Sequence, residues 1–192
     1  MTAQTGLPKR FLEAASQHAG RVPPPVERWN PAWCGIIDMR IAADGRWFYM
    51  GTPITRMPLV KLFASVLRHD RDGEDYAGHV LVTPVERVGI TVEDAPFLAV
   101  EMEEMAGTGG PTLAFRTNLD EIIVLDAAHP IRFAVDRHGG FKPYILVRGD
   151  LWARATRALA LEIASRLEDG PDGPMLRANG LEFTVSGEKA GA

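Results

Sequence analysis

The chain has 192 residues, 46% of them hydrophobic and 24% charged, with a formal net charge of −4. That length and apolar content suffice for a core of its own without disulfide or metal staples. A mildly acidic chain with no long block of one sign lacks the basic footprint of a nucleic-acid binder. No apolar run approaches the roughly 18 residues of a membrane helix, so no membrane partner is expected.

The single cysteine, Cys34, excludes an internal disulfide. Residues 1–20 carry no apolar stretch of signal-peptide type, and together these features predict a cytoplasmic protein. Residues 9–18 have a short helical pattern, with Phe11, Leu12 and Ala15 on one side. Pro23, Pro24 and Pro25 end it, because proline lacks the amide hydrogen that a helix interior needs.

The ordered body begins near Trp29. Residues 36–42 and 46–50 read as strands joined at Asp44-Gly45, a hairpin signal because the turn needs positive φ. Trp47 and Phe48 then fall on opposite faces of one hairpin. Gly51-Thr52-Pro53 turns the chain, and Thr55 is expected to cap a helix reaching about His69, with Leu59, Leu62, Phe63, Val66 and Leu67 along its core face.

Residues 70–78 form a polar loop. Short strand-like runs follow at 79–83, 88–92, 97–102, 112–117, 122–125, 131–135 and 144–147, with a glycine-rich loop at 107–110. They lie too close together for crossover helices, so antiparallel meanders are expected. A second helix is predicted over 150–167, capped by Asp150, with Leu151, Ala155, Leu159, Ile163 and Leu167 on one face. Strands at 175–178 and 181–185 flank the turn Asn179-Gly180, and 188–192 reads as a disordered tail.

The expectation is an α+β fold, mainly antiparallel β-sheet, in two similar β-rich halves with one principal helix each. The divisions are an N-terminal segment and connector (1–28), a first half (29–106), a second half (107–187) and the tail (188–192). Ile41 to Phe48 resembles Leu176 to Phe183 as a candidate repeat. A cleft between halves is then a natural ligand site.

Several segments resemble a bacterial family of uncharacterised proteins, the domain of unknown function family numbered 1285. They are Cys34-Gly35-Ile36-Ile37-Asp38-Met39-Arg40-Ile41, Asp44-Gly45-Arg46-Trp47, Gly51-Thr52-Pro53-Ile54, Leu59-Val60-Lys61-Leu62-Phe63, Thr83-Pro84-Val85-Glu86, Val92-Glu93-Asp94-Ala95-Pro96-Phe97, Thr117-Asn118 and Pro143-Tyr144-Ile145-Leu146-Val147-Arg148. The resemblance spans about residues 29–160 in consistent order. It implies an α+β fold with repeated structural motifs and a role in ligand binding or signalling. It implies no established reaction, so it supplies no catalytic residue.

Cys34 has no second cysteine nearby and no group in sequence to lower its pKa, and it reads as a small buried hydrophobe. His18, His69, His79, His129 and His138 show no metal-ligand spacing and fall in predicted loops or element ends. No dinucleotide fingerprint, P-loop or nucleophile elbow is present. The cofactor is therefore left unknown and no metal is expected.

Asp38 and Arg40 lie two apart in a strand and share a face, able to pair with each other or with a ligand. Arg56 stands at a helix start, where its charge needs an acidic partner or an anion. Thr83, Glu86, Asp94 and Asn118 sit at strand ends, where they can cap backbone or orient a ligand. Arg148, just before the second predicted helix, echoes Arg56. Asp38, Arg40 and Arg56 are expected to meet near one edge of the first hairpin.

Three functions follow: a binding or regulatory protein for a small anionic ligand, a hydrolase using Asp38, Glu86 or Asp94 with a divalent cation, and a protein-interaction module using Trp29, Trp33 and Trp47. A homodimer stays open.

Overall fold

A computed structural model describes residues 24–73, 75–136 and 139–185. They divide into two units, the first ending at Glu93 and the second beginning at Asp94. The predicted helix at 9–18 and the tail at 188–192 lie outside the described residues.

The first unit contains β1 (Trp33–Ile41), β2 (Trp47–Tyr49), β3 (Thr52–Pro53), helix α1 (Met57–Ser65), β4 (Leu67–Asp70), β5 (Gly78–Val82) and β6 (Arg87–Val92). Its six strands lie in the order β3-β2-β1-β6-β5-β4. Two antiparallel meanders are joined where β1 runs parallel to β6.

Strand alternation sends Met39 (1% exposed) and Ile41 (0%) into the core and leaves Asp38 and Arg40 on the other face. The hairpin turns at the expected place. Gly45 alone takes positive φ (+81°), and Asp44 instead accepts the Arg46 amide at 3.1 Å. Trp47 is 1% exposed, with its ring 6.2 Å from that of Phe63 on α1, while Phe48 is half-buried on the opposite face.

Helix α1 is shorter than the 55–69 expected from periodicity. Its N-cap is Arg56, not Thr55, and Pro58 sits in its first turn. The helix ends at Val66, and Leu67–Asp70 become an edge strand paired to β5. A short apolar run such as Val66-Leu67 fits a buried strand as well as a helix, and pairing Leu67 with Leu81 decides the matter.

The second unit contains β7 (Phe97–Gly107), β8 (Gly110–Thr117), β9 (Ile122–Val124), β10 (Ile131–Val135), β11 (Phe141–Arg148), β12 (Leu151–Ala155), helix α2 (Arg157–Ala164), β13 (Glu168–Gly170), β14 (Gly173–Ala178) and β15 (Leu181–Thr184). Its six-stranded sheet has the order β10-β11-β12-β7-β8-β9, with β12 parallel to β7. Traced from β9, this repeats the first sheet: two meanders, with the first strand beside and parallel to the last. The two halves are thus similar, each with one helix. The helices enter at different points, α1 between the meanders and α2 after the last strand. The two parallel pairs make both sheets mixed.

Three expectations are corrected here. Residues 150–167 are not one helix. Leu151, Ala153 and Ala155 are 2%, 0% and 3% exposed, a period-two pattern, and form β12; Thr156 then caps α2 by accepting the Leu159 amide. The expected boundary at 106–107 is the start of a hairpin turn, where Gly107 faces Gly110, and the units part at Glu93–Asp94. The two similar hairpin sequences are not structural equivalents. The first belongs to a six-stranded sheet and the second, with φ of +54° at Asn179 and +75° at Gly180, to the separate sheet β13-β14-β15. Their likeness is turn chemistry.

The tips of two hairpins interlock within the second unit. Asn179 Oδ1 accepts the Gly109 amide at 2.8 Å, and the Asn179 amide donates to the Pro111 carbonyl at 2.8 Å. A Cβ at Gly109 would stand 2.2 Å from the Asn179 carbonyl oxygen. Gly109→Ala is therefore expected to lower stability by about 1–3 kcal/mol through forced separation of the tips. Urea denaturation against Thr108→Ala, expected within about 0.5 kcal/mol of wild type, checks this.

Candidate functional site

Pairing across the second sheet sets one polar row. Arg132 of β10 faces Tyr144 of β11, Tyr144 faces Arg154 of β12, and Arg154 faces Leu98 of β7. The alternate residues Ile131, Phe133, Ile145, Ala153 and Phe97 are buried, so the row lies on the sheet face away from them. Lys142 and Trp152 flank it along the strands.

Asp94 reaches this row from just ahead of β7. Its Oδ1 accepts the Tyr144 hydroxyl at 2.7 Å. Its Oδ2 lies 3.3 Å from Lys142 Nζ and 3.1 Å from Arg154 Nε. The carboxylate is 15% exposed, Lys142 27% and Arg154 22%, so the ion pairs are partly shielded from water. Burial, reinforced by the hydrogen bond to Asp94, pushes the Tyr144 pKa up, and the phenol remains a neutral donor.

Arg132 is exposed and lies over two rings, 4.4 Å from the Trp152 centroid and 5.2 Å from that of Tyr144. Among the described residues it pairs with no carboxylate. A guanidinium held over aromatic faces keeps N–H groups available for a planar anion. One carboxylate, engaged by two cations, thus sits beside a third cation held by rings.

The other sequence-derived candidates are scattered. Arg40 pairs with Glu93 and lies 4.3 Å from the Phe48 ring centroid, so its carboxylate partner is Glu93, not Asp38. The Ala43 amide, at 2.9 Å, and Arg40 hold the Glu93 carboxyl below the usual range. Asp38 and Arg56 are exposed and make no side-chain hydrogen bond or ion pair among the described residues.

Thr83 is fully buried, and its hydroxyl accepts the Glu86 amide at 3.1 Å, closing the β5–β6 turn. Glu86 enters that turn through its backbone. Asn118 Oδ1 accepts the Leu98 amide at 3.0 Å and secures β7 to β8. Arg148 pairs with Glu121. Of the eight candidates, Asp94 alone belongs to the row on the second sheet.

Cys34 is exposed, contrary to its reading as a buried hydrophobe. Strand alternation puts Cys34 with Ile36 and Asp38 on the outer side of β1. His69 and His79, distant in sequence, face each other across β4 and β5 with ring centroids 4.5 Å apart. His129 closes a turn with Asp126; His18 and His138 lie outside the described residues.

Residues 24–95 match the model of the DUF1285 N-terminal domain, a domain of unknown function, and residues 96–185 match the DUF1285 C-terminal domain. The chain belongs to the DUF1285 family. The junction between the two DUF1285 domains falls close to the division after Glu93.

The crystal structure of a DUF1285 family protein from Silicibacter pomeroyi DSS-3 is 39% identical, with 91% of this chain and 93% of that chain covered and a TM-score of 0.81. A DUF1285 family protein from Shewanella baltica OS155 is 28% identical, covering 66% of this chain and 90% of that one, with a TM-score of 0.48. No curated protein matches the chain. Within this DUF1285 chain, two of the stretches quoted for the resemblance, 92–97 and 143–148, supply Asp94 and Tyr144 to one hydrogen bond.

Sequence reasoning missed Arg132, Lys142, Tyr144, Trp152 and Arg154. The signal was slight: Arg132 is the one polar residue of 131–135, and Lys142 and Tyr144 alternate with Pro143 and Ile145. Arg154 was hidden by the helical reading of 150–167.

Proposed function

We propose that this chain is a binding protein, with a regulatory role, for a small anionic ligand held at Arg132, Lys142 and Arg154 on the second sheet. The single observation that carries the reading is Arg132: an exposed guanidinium over the rings of Trp152 and Tyr144, without a carboxylate partner among the described residues, beside the Asp94 ion pairs. A carboxylate or phosphate entering there meets a pre-oriented donor edge. A cytoplasmic location is part of the same proposal and fits a metabolite ligand.

The hydrolase reading has weaker support. Each oxygen of Asp94 already faces a donor, which leaves a poor ligand for a divalent cation. The interaction-module reading loses two of its rings, since Trp47 is in the core and Trp33 stacks on Tyr76 with centroids 4.9 Å apart.

Isothermal calorimetry with pyrophosphate and citrate tests the proposal. Arg132→Ala is expected to weaken binding by about tenfold, while stability stays within about 0.5 kcal/mol because the side chain is exposed. Equal affinity in both proteins, or no heat with either anion, overturns it.

A further inference from the structure

A cavity of about 350 Å³ opens between the β7–β8 hairpin, the C-terminal end of α2 and strands β13 and β14. That size is in the range of small-molecule sites. Leu113, 4% exposed, and Leu176, 1% exposed, form an apolar part of its floor among mostly polar walls.

Glu104, an exposed residue of β7, lines the same cavity. It stands directly opposite Leu113, and two residues before it Met102 faces Phe115, which is fully buried. Directly opposed residues share a sheet face, so Glu104 brings a carboxylate to the apolar side of the hairpin. Among the described residues that carboxylate has no hydrogen bond or ion-pair partner.

The cations nearby are already engaged. Arg166 pairs with Glu162 at 3.2 Å, and Arg177 with Glu168 at 2.9 Å and Glu182 at 3.1 Å. Four carboxylates therefore meet two guanidiniums around the cavity. The wall made by Ser165, Arg166 and Leu167 follows the C-terminus of α2, the partially negative end of a helix.

We infer that this cavity is a binding site for a small organic amine, its ammonium on Glu104 and its hydrocarbon body on Leu113 and Leu176. The two halves of the recognition are separable. The apolar part of the floor accepts any hydrocarbon of the right size; Glu104 selects the cation. The site is independent of the anion site, with different residues and the opposite ligand charge.

The test is a titration of the full chain with isoamylamine, followed by the methyl NMR signals of Leu113 and Leu176. Isoamyl alcohol serves as the neutral isostere and isovalerate as the anionic one. Saturable shifts with the amine, at least about tenfold tighter than with the alcohol, are expected, and Glu104→Gln should remove that difference. No saturable shift with the amine overturns the inference, as does equal affinity for amine and alcohol in the wild type, or a Glu104→Gln protein that still prefers the amine. The wild-type comparison of amine with alcohol stands whether or not the variant folds well.

Discussion

Arg68→Ala is expected to cost about 3–5 kcal/mol of stability, the range for removing one partner of a buried ion pair. Arg68 is 9% exposed. Its Nη1 donates to the carbonyls of Val26 at 2.8 Å and Trp29 at 2.7 Å, which ties the segment before β1 to the edge strand β4. Its Nε and Nη2 fork onto Asp70 at 2.6 and 3.1 Å. Alanine strands two carbonyls and leaves Asp70 with only Arg87, at 3.0 Å, among the partners shown.

Arg68→Lys should recover only part of the loss, because an ammonium cannot span both carbonyls and the carboxylate as a planar fork does. Urea denaturation of the three proteins measures this. A loss under about 1 kcal/mol for alanine would mean that water replaces the guanidinium at little cost, and that the clamp does not hold the N-terminal segment.

The same residue shows where sequence reading stops. The first hairpin was legible because Asp44-Gly45 and the alternation around Met39 and Ile41 are local signals. Arg68 looked like the outer face of a helix because Leu62, Phe63, Val66 and Leu67 keep helical spacing. What makes it a strand residue is its pairing with Val80 and the two carbonyls that its side chain finds some forty residues back, at separations of 42 and 39. Neither is visible in a local window.

Residues 150–167 failed in the same way. Leu151 and Ala155 are four apart, a spacing that satisfies both a helix and a period-two strand, and only the pairing of Ala153 with Phe97 separates them. The repeat was legible as two β-rich halves, but the hairpins chosen to align it were alike for a local reason. Its true signature, a first strand parallel to a last one, lies in pairings between residues far apart. The row on the second sheet was lost for the same cause. Tyr144 and Arg154 become neighbours only once β12 is a strand, and Asp94, at a strand end, lies about fifty residues from Tyr144 in the chain.

Asp94→Asn should move stability and anion binding in opposite directions. The carboxylate accepts the Tyr144 hydroxyl and faces Lys142 and Arg154 in a partly shielded setting. Removing its charge takes the shared carboxylate away from Lys142 and Arg154, and about 1–3 kcal/mol of stability should be lost. The same change removes a negative charge from beside the proposed ligand. An anion held by Arg132 and Lys142 then feels less repulsion, worth about 1 kcal/mol at partly exposed separations, or roughly fivefold tighter binding. Tyr144→Phe is the companion variant. It deletes the hydroxyl and keeps the charge, so stability should fall by about 1 kcal/mol with pyrophosphate affinity unchanged. Calorimetry with pyrophosphate and urea denaturation of both variants separate the outcomes. Weaker binding in Asp94→Asn would make Asp94 the group that orders the cations for the ligand, and unchanged binding would remove the anion from this face of the sheet.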